Sequence, residues 1–158
     1  MTSQVMAGPP VVAHHGRMHP LARTWIDDVL AGSPVARSLG IEVLDARPEE
    51  VRLGLAFRDD LTTVPGVLHG GVIATVMDVA GAAASASGLT DRDDATGGAT
   101  TQLDISYVSA GTGDLVATAT VLDRTRSTTH SHVVVRGADG RLVATAQVTS
   151  RIFRRSRA

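Results

Sequence analysis

A chain of 158 residues is the size of one domain, and 43% hydrophobic residues with a formal net charge of -1 fit an ordinary folded protein. All basic residues are arginine and cysteine is absent. That excludes the lysine of a phosphate-binding loop, Schiff-base chemistry, thiol nucleophiles, disulfides and cysteine-bound zinc. With 3% aromatic residues and near-neutral charge, the chain lacks both the stacking surfaces and the basic balance of a nucleic-acid binder.

Residues 1–20 carry Gly8-Pro9-Pro10 and the unperiodic His14, His15 and His19. They read as a flexible lead-in to a single domain over 21–158. No basic start followed by an apolar run marks a signal peptide, so the protein is expected to be soluble and cytoplasmic. Leu21, Trp25, Val29 and Leu30 predict a short amphipathic helix over Leu21–Ala31, ended by Gly32-Ser33-Pro34, with another turn at Val35–Leu39. Strands follow at Ile41–Ala46 and Val51–Phe57, then a loop from Arg58 to Leu68. A long apolar helix is predicted over Gly71–Ser87, with Gly88 as its stop. The remainder reads as four strands in antiparallel succession: Ala99–Val108, Asp114–Arg124, Thr128–Arg136 and Arg141–Phe153. Asp139-Gly140 marks a tight hairpin between the last two.

This order is an α+β layout. A helix with small apolar residues nearly all round needs cover nearly all round. A curved antiparallel sheet would supply it, with any open face closed by another subunit. A membrane span is disfavoured, because an aspartate at its centre costs ~2.5–3.5 kcal/mol that alanine and glycine barely offset.

That aspartate, Asp78, is the one charged residue between His69 and Asp91. Burying an unpaired carboxylate costs several kcal/mol, so it is either bonded structurally or kept for chemistry. The preceding His69-Gly70-Gly71 favours chemistry. Glycines at a helix start let another group approach free N–H groups. Gly71, Thr75 and Asp78 share a helix face, but Asp78 lies ~10 Å along the axis from Gly71. One carbonyl cannot sit against both. A helix N-terminus that polarises it and an aspartate that attacks it, or activates water, are better supplied by two subunits.

The string His69-Gly70-Gly71, with Asp78 nine residues after the histidine, resembles the PaaI-type branch of the hot-dog acyl-CoA thioesterases. Leu103-Asp104-Ile105-Ser106-Tyr107-Val108 and Asp139-Gly140-Arg141-Leu142-Val143-Ala144 are similar to later strands of that family. The resemblance implies a sheet wrapped around a central helix, a homodimer or homotetramer, and active sites at the dimer interface. It implies that the amide of Gly70 or Gly71 polarises the thioester carbonyl. The partner's aspartate, at position 78, would be nucleophile or general base, and His69 would shape the pocket. The family's usual asparagine, six residues before the histidine, is Thr63 here. A further polar residue after the helix would be Thr100 or Thr101.

Other motifs have plainer readings. His130-Ser131-His132 could chelate a metal from one strand face, but no third ligand is evident. Ser85 and Ser87 lack a nucleophile elbow. Arg124 and Arg126 are candidates for the phosphates of coenzyme A, whereas Arg151, Arg154, Arg155 and Arg157 read as a solvated tail. The leading expectation is acyl-CoA hydrolysis with no metal or bound cofactor, at no nucleic acid or membrane. The alternatives are a non-catalytic acyl-CoA binding protein and an enoyl thioester hydratase.

Overall fold

The computed structural model describes residues 16–155, so Gly8-Pro9-Pro10, His14, His15 and Arg157 lie outside the described residues. Helix α1 (Pro20–Thr24) begins with proline at a position that needs no N–H donor, and the Nδ1 of His19 accepts from the Leu21 amide at 3.2 Å. His19 is therefore a helix cap, contrary to its reading as part of a structureless lead-in. The helix continues over Trp25–Leu30 in wider π-helical turns. Gly32 then releases the chain: a Cβ there would stand 2.5 Å from the Asp28 carbonyl oxygen. Ser33 and Pro34 start α2 (Pro34–Leu39), which Gly40 closes at φ 75°.

Strands β1 (Ile41–Arg47) and β2 (Glu50–Leu55) pair antiparallel. The segment read as a loop is more ordered than expected. It holds a 3-10 turn at Asp59–Leu61 and a small hairpin of β3 (Thr62–Val64) and β4 (Val67–Leu68). Pro65-Gly66 makes its turn, with Gly66 at φ 78°. Then come α3 (Gly70–Ser87), β5 (Ala95–Tyr107), β6 (Leu115–Arg124), β7 (Thr128–Gly137) and β8 (Leu142–Arg154).

The large sheet has the order β1-β2-β6-β7-β8-β5. All the predicted strands are present, but they are not four neighbours in succession. Strand β5 pairs with β8 at the sheet edge, and β6 lies beside β2. The reason is the long helix that precedes β5 in the chain. Eighteen residues reach ~27 Å, enough to carry the chain across a sheet whose strands lie ~4.8 Å apart, and α3 touches all six strands. Nor does Asp139-Gly140 form a two-residue hairpin. Gly137 donates to the Arg141 carbonyl at 3.0 Å, closing a longer turn with Gly140 at φ 80°.

The core lies between α3 and the concave face. Ile73, Val76, Met77, Ala80 and Ala83 meet Val51, Leu53, Leu115, Val133 and Val148. Each large side chain buried there contributes roughly 1.5–3 kcal/mol. Small residues set how close the helix comes: a Cβ on Gly81 would lie 2.6 Å from a Val148 methyl. The cover is uneven, however. The end of α3, residues 83–87, is buried, while the exposed Gly71 and the half-covered Thr75, Asp78 and Ala82 form a stripe.

The C-terminus of α3 is clamped rather than stopped by a left-handed glycine, since Gly88 has φ -93°. The Arg124 guanidinium donates to the carbonyls of Ser85 (2.9 Å) and Ala84 (3.3 Å) and pairs with Glu49 at 3.0 Å. Glu49, at φ 69°, also donates its amide to the Ser87 hydroxyl at 2.8 Å. The cation thus meets the negative end of the helix dipole.

Candidate active site

Helix α3 starts at an apolar β4 and a histidine, and the first turn's N–H groups have unequal fates. His69 is the N-cap, and its Nδ1 accepts from the Gly71 amide at 2.8 Å. Acceptance there puts the neutral ring's proton on Nε2. The Val72 and Ile73 amides turn inward to the His69 carbonyl. Among the described residues the Gly70 amide has no such partner, which singles it out from Gly71 as a donor for a ligand. The Tyr107 hydroxyl donates to the Gly70 carbonyl at 2.8 Å, fixing that peptide. A Cβ on Gly70 would meet the Tyr107 ring at an ordinary 3.5 Å.

Two turns further on, the Asp78 carboxylate carries a buried Oδ1 with no hydrogen-bond partner among the described residues. Asp78 stands at one end of a cavity of about 550 Å³, within the size range of small-molecule sites. The cavity follows α3 through Ala82 and Ala86 to Leu89. Trp25, Val29 and Val35 of the N-terminal helices face it, and Thr100 and Ser150 come from β5 and β8. Its lining is mostly apolar, with several hydroxyls, the carboxylate and Arg151, which belongs to β8 and not to a solvated tail, and it is open on one side. Thr75, on the same stripe, turns its hydroxyl back to the Gly71 carbonyl at 2.9 Å.

Asp78 and Thr100 are thus brought to one cavity. Thr101 is not: its hydroxyl donates to the Thr149 carbonyl at 3.1 Å. Thr63 sits exposed on the β3–β4 hairpin. Gly70 stands eight residues before Asp78 on one helix, ~12 Å away along its axis.

Beyond the other end of α3 lies a polar cleft of about 450 Å³, lined by Arg92, Arg124, Arg126, Arg154 and Arg155 together with Asp93 and Asp94. Arg124 lines it while its guanidinium is committed to the helix clamp. Arg126 and Arg92 are exposed. Arg154 is no part of a solvated tail, since it pairs with Asp93 at 2.8 Å and donates to the Arg126 carbonyl at 2.7 Å. Burial pushes the Asp93 carboxyl up, but hydrogen bonds from Arg154 and from the Thr90 amide and hydroxyl outweigh it and hold the group below its usual range. His130 and His132 lie on the outer side of β7, and His130 faces Thr149 at 3.2 Å. Among the described residues no group of three or more His, Asp or Glu side chains converges as a metal site would require.

Three features of this site escaped the sequence: Tyr107 against Gly70, Ser150 in the cavity, and Trp25 with Val29 as cavity wall. Only Tyr107 left a trace, as part of a strand similar to the family's. The other two depend on pairings across the chain.

The family model of the thioesterase superfamily matches residues 65–144, just over half of the chain and including Gly70, Asp78 and Thr100. The chain belongs to the thioesterase superfamily. A relative from Halobacterium salinarum, named "Putative esterase", is 35% identical over 105 residues. That match spans 65% of this chain and 66% of the relative. Among solved structures, the Escherichia coli PaaI protein from the phenylacetic acid degradation operon superposes with a TM-score of 0.74 at 18% identity, over 84% of this chain and 93% of that one. A hypothetical thioesterase from Streptococcus pneumoniae, solved with coenzyme A, gives 0.67 at 24% identity over 77% and 94%. These two likenesses show that the superfamily chain has the hot-dog thioesterase fold, a curved sheet around one long helix.

Proposed function

We propose that this superfamily member hydrolyses acyl-CoA thioesters to the free acid and coenzyme A. One observation carries the reading: Asp78 lines a mostly apolar cavity, and one of its carboxylate oxygens is buried and without a partner among the described residues. A group held at that cost is held for a substrate or its water. Coenzyme A in the streptococcal neighbour agrees with a thioester of that carrier.

In the proposed reaction two chains pair, covering the half-exposed stripe of α3. The Gly70 amide of one chain donates to the thioester carbonyl oxygen as negative charge develops there. Asp78 of the other takes a proton from water, whose oxygen bonds to the carbonyl carbon. The carbon–sulfur bond then breaks, and the coenzyme A sulfur leaves and takes up a proton. Amide donors and a carboxylate suffice, so the scheme calls on no metal or bound cofactor. Arg126 and Arg92 are the proposed contacts for coenzyme phosphates.

Replacing Asp78 by Asn keeps the shape of the side chain and removes the base. Thiol release from a panel of acyl-CoAs falls at least ~100-fold, with the circular dichroism spectrum unchanged. Near-normal turnover in that variant would refute the assignment. Thr63, exposed where the family has asparagine, favours a second reading as an acyl-CoA binding protein. Saturable binding without thiol release would establish it. Hydration of an enoyl-CoA without thiol release would point instead to a hydratase.

A further inference from the structure

Besides Asp78, one other polar atom in the cavity stands buried and unpartnered among the described residues: the hydroxyl of Ser150, a residue 4% exposed. Strand pairing fixes its surroundings. Ser150 lies opposite Thr100 on β5 and opposite Thr129 on β7. Thr129 is satisfied, accepting from Ser85 at 3.1 Å and from Arg124 at 3.3 Å. Ser85 stands seven residues beyond Asp78, ~10 Å further along the helix axis. The unsatisfied hydroxyl therefore sits along the cavity, which Arg151 also lines, toward the end away from the carboxylate.

An apolar side chain there would leave no polar atom to desolvate. An unmet buried hydroxyl costs about 1–3 kcal/mol, and a ligand oxygen that reached it would recover that cost. We infer that Ser150 is a specificity residue that hydrogen-bonds an oxygen carried on the acyl group itself, several bonds from the thioester. The inference rests on the acyl-CoA reading above and narrows its substrate class to oxygenated acyl groups. Trp25, Val29 and Val35 would enclose the rest of the acyl chain, and Asp78 would act at its thioester end.

Octanoyl-CoA, 8-hydroxyoctanoyl-CoA and 3-hydroxyoctanoyl-CoA place the hydroxyl oxygen nowhere, far from the thioester and near it, respectively. For the natural sequence kcat/KM is expected to be about 10-fold higher for the 8-hydroxy thioester than for octanoyl-CoA. In Ser150→Ala that ratio falls to about one. Because no intramolecular hydrogen bond is lost, the thermal midpoint of Ser150→Ala is not lowered. Ser131→Ala removes another buried, unpartnered hydroxyl that does not line this cavity, and it keeps the preference. Equal rates for the 8-hydroxy and unsubstituted thioesters overturn the inference. So does a preference that survives Ser150→Ala, as it would if a resident water already satisfied the hydroxyl. If none of the three releases thiol, the hydrolytic reading fails by itself. Equilibrium binding of the same three thioesters to Asp78→Asn then decides the role of Ser150.

Discussion

Gly70 and Gly71 are adjacent and chemically identical, yet the structure gives their amides different work. The Gly71 N–H is taken by the His69 ring at 2.8 Å, and a Cβ on Gly71 would press on that ring at 3.0 Å. Gly70 has room for a Cβ and, among the described residues, an amide without a partner, so what position 70 offers is its donor. Proline tests this directly. It is favoured at the first helical position, and His69, at φ -64° and ψ 135°, already has the extended backbone that a residue before proline adopts. Gly70→Pro is expected to fold with an unchanged thermal midpoint and to lose about 10²–10³-fold in kcat, the cost of one oxyanion donor. Full activity, measured as thiol release, would remove Gly70 from the mechanism.

Between elements, the contact that sets the fold's tightness is α3 against β8 at Gly81. Alanine is the better helix former by about 1 kcal/mol. Its methyl would nonetheless stand 2.6 Å from Val148, and overpacking a buried site costs about 1–3 kcal/mol. Gly81→Ala is expected to lower unfolding free energy by up to about 2 kcal/mol in urea titration. Adding Val148→Ala should return part of that loss, because the clash and the helix gain then separate. Much at this scale was legible. The helix spacing, Ser33-Pro34 and the alternation in β2 follow from local rules. What was not legible was Arg124, read as a phosphate contact from its place beside Arg126. Its partners Ala84, Ser85 and Glu49 lie far away in the chain, and only the wrapping of the sheet around α3 brings them to it.

Across the whole molecule, the decisive fact is that Gly70 and Asp78 stand ~12 Å apart on a rigid helix. The proposed scheme, in which both groups serve one site, therefore needs two chains, and this can be read by complementation. Gly70→Pro and Asp78→Asn are each expected to be nearly inactive. After subunit exchange in an equal mixture, half of the dimers are hybrids, and each hybrid has one site with both groups intact. Thiol release should return to about a quarter of the natural level. A mixture no more active than its components would show that both groups serve from one chain, and the two-chain scheme would fall.

The sequence by itself determined the class of fold, the single carboxylate in an apolar helix and the glycine-rich helix start, because these are local patterns of side-chain period, backbone freedom and charge. It also carried the likeness to the thioesterases, since His69, Gly70, Gly71 and Asp78 lie within one short stretch. Only the tertiary structure decided that β5 is an edge strand, that Gly70 rather than Gly71 has a free donor, and that Thr100 rather than Thr101 meets the cavity. It alone turned Arg124 into a helix clamp and left Ser150 without a partner among the described residues. Each of these depends on which strands become neighbours, and strand pairing is settled by how the chain closes around its central helix, over separations that no local pattern records.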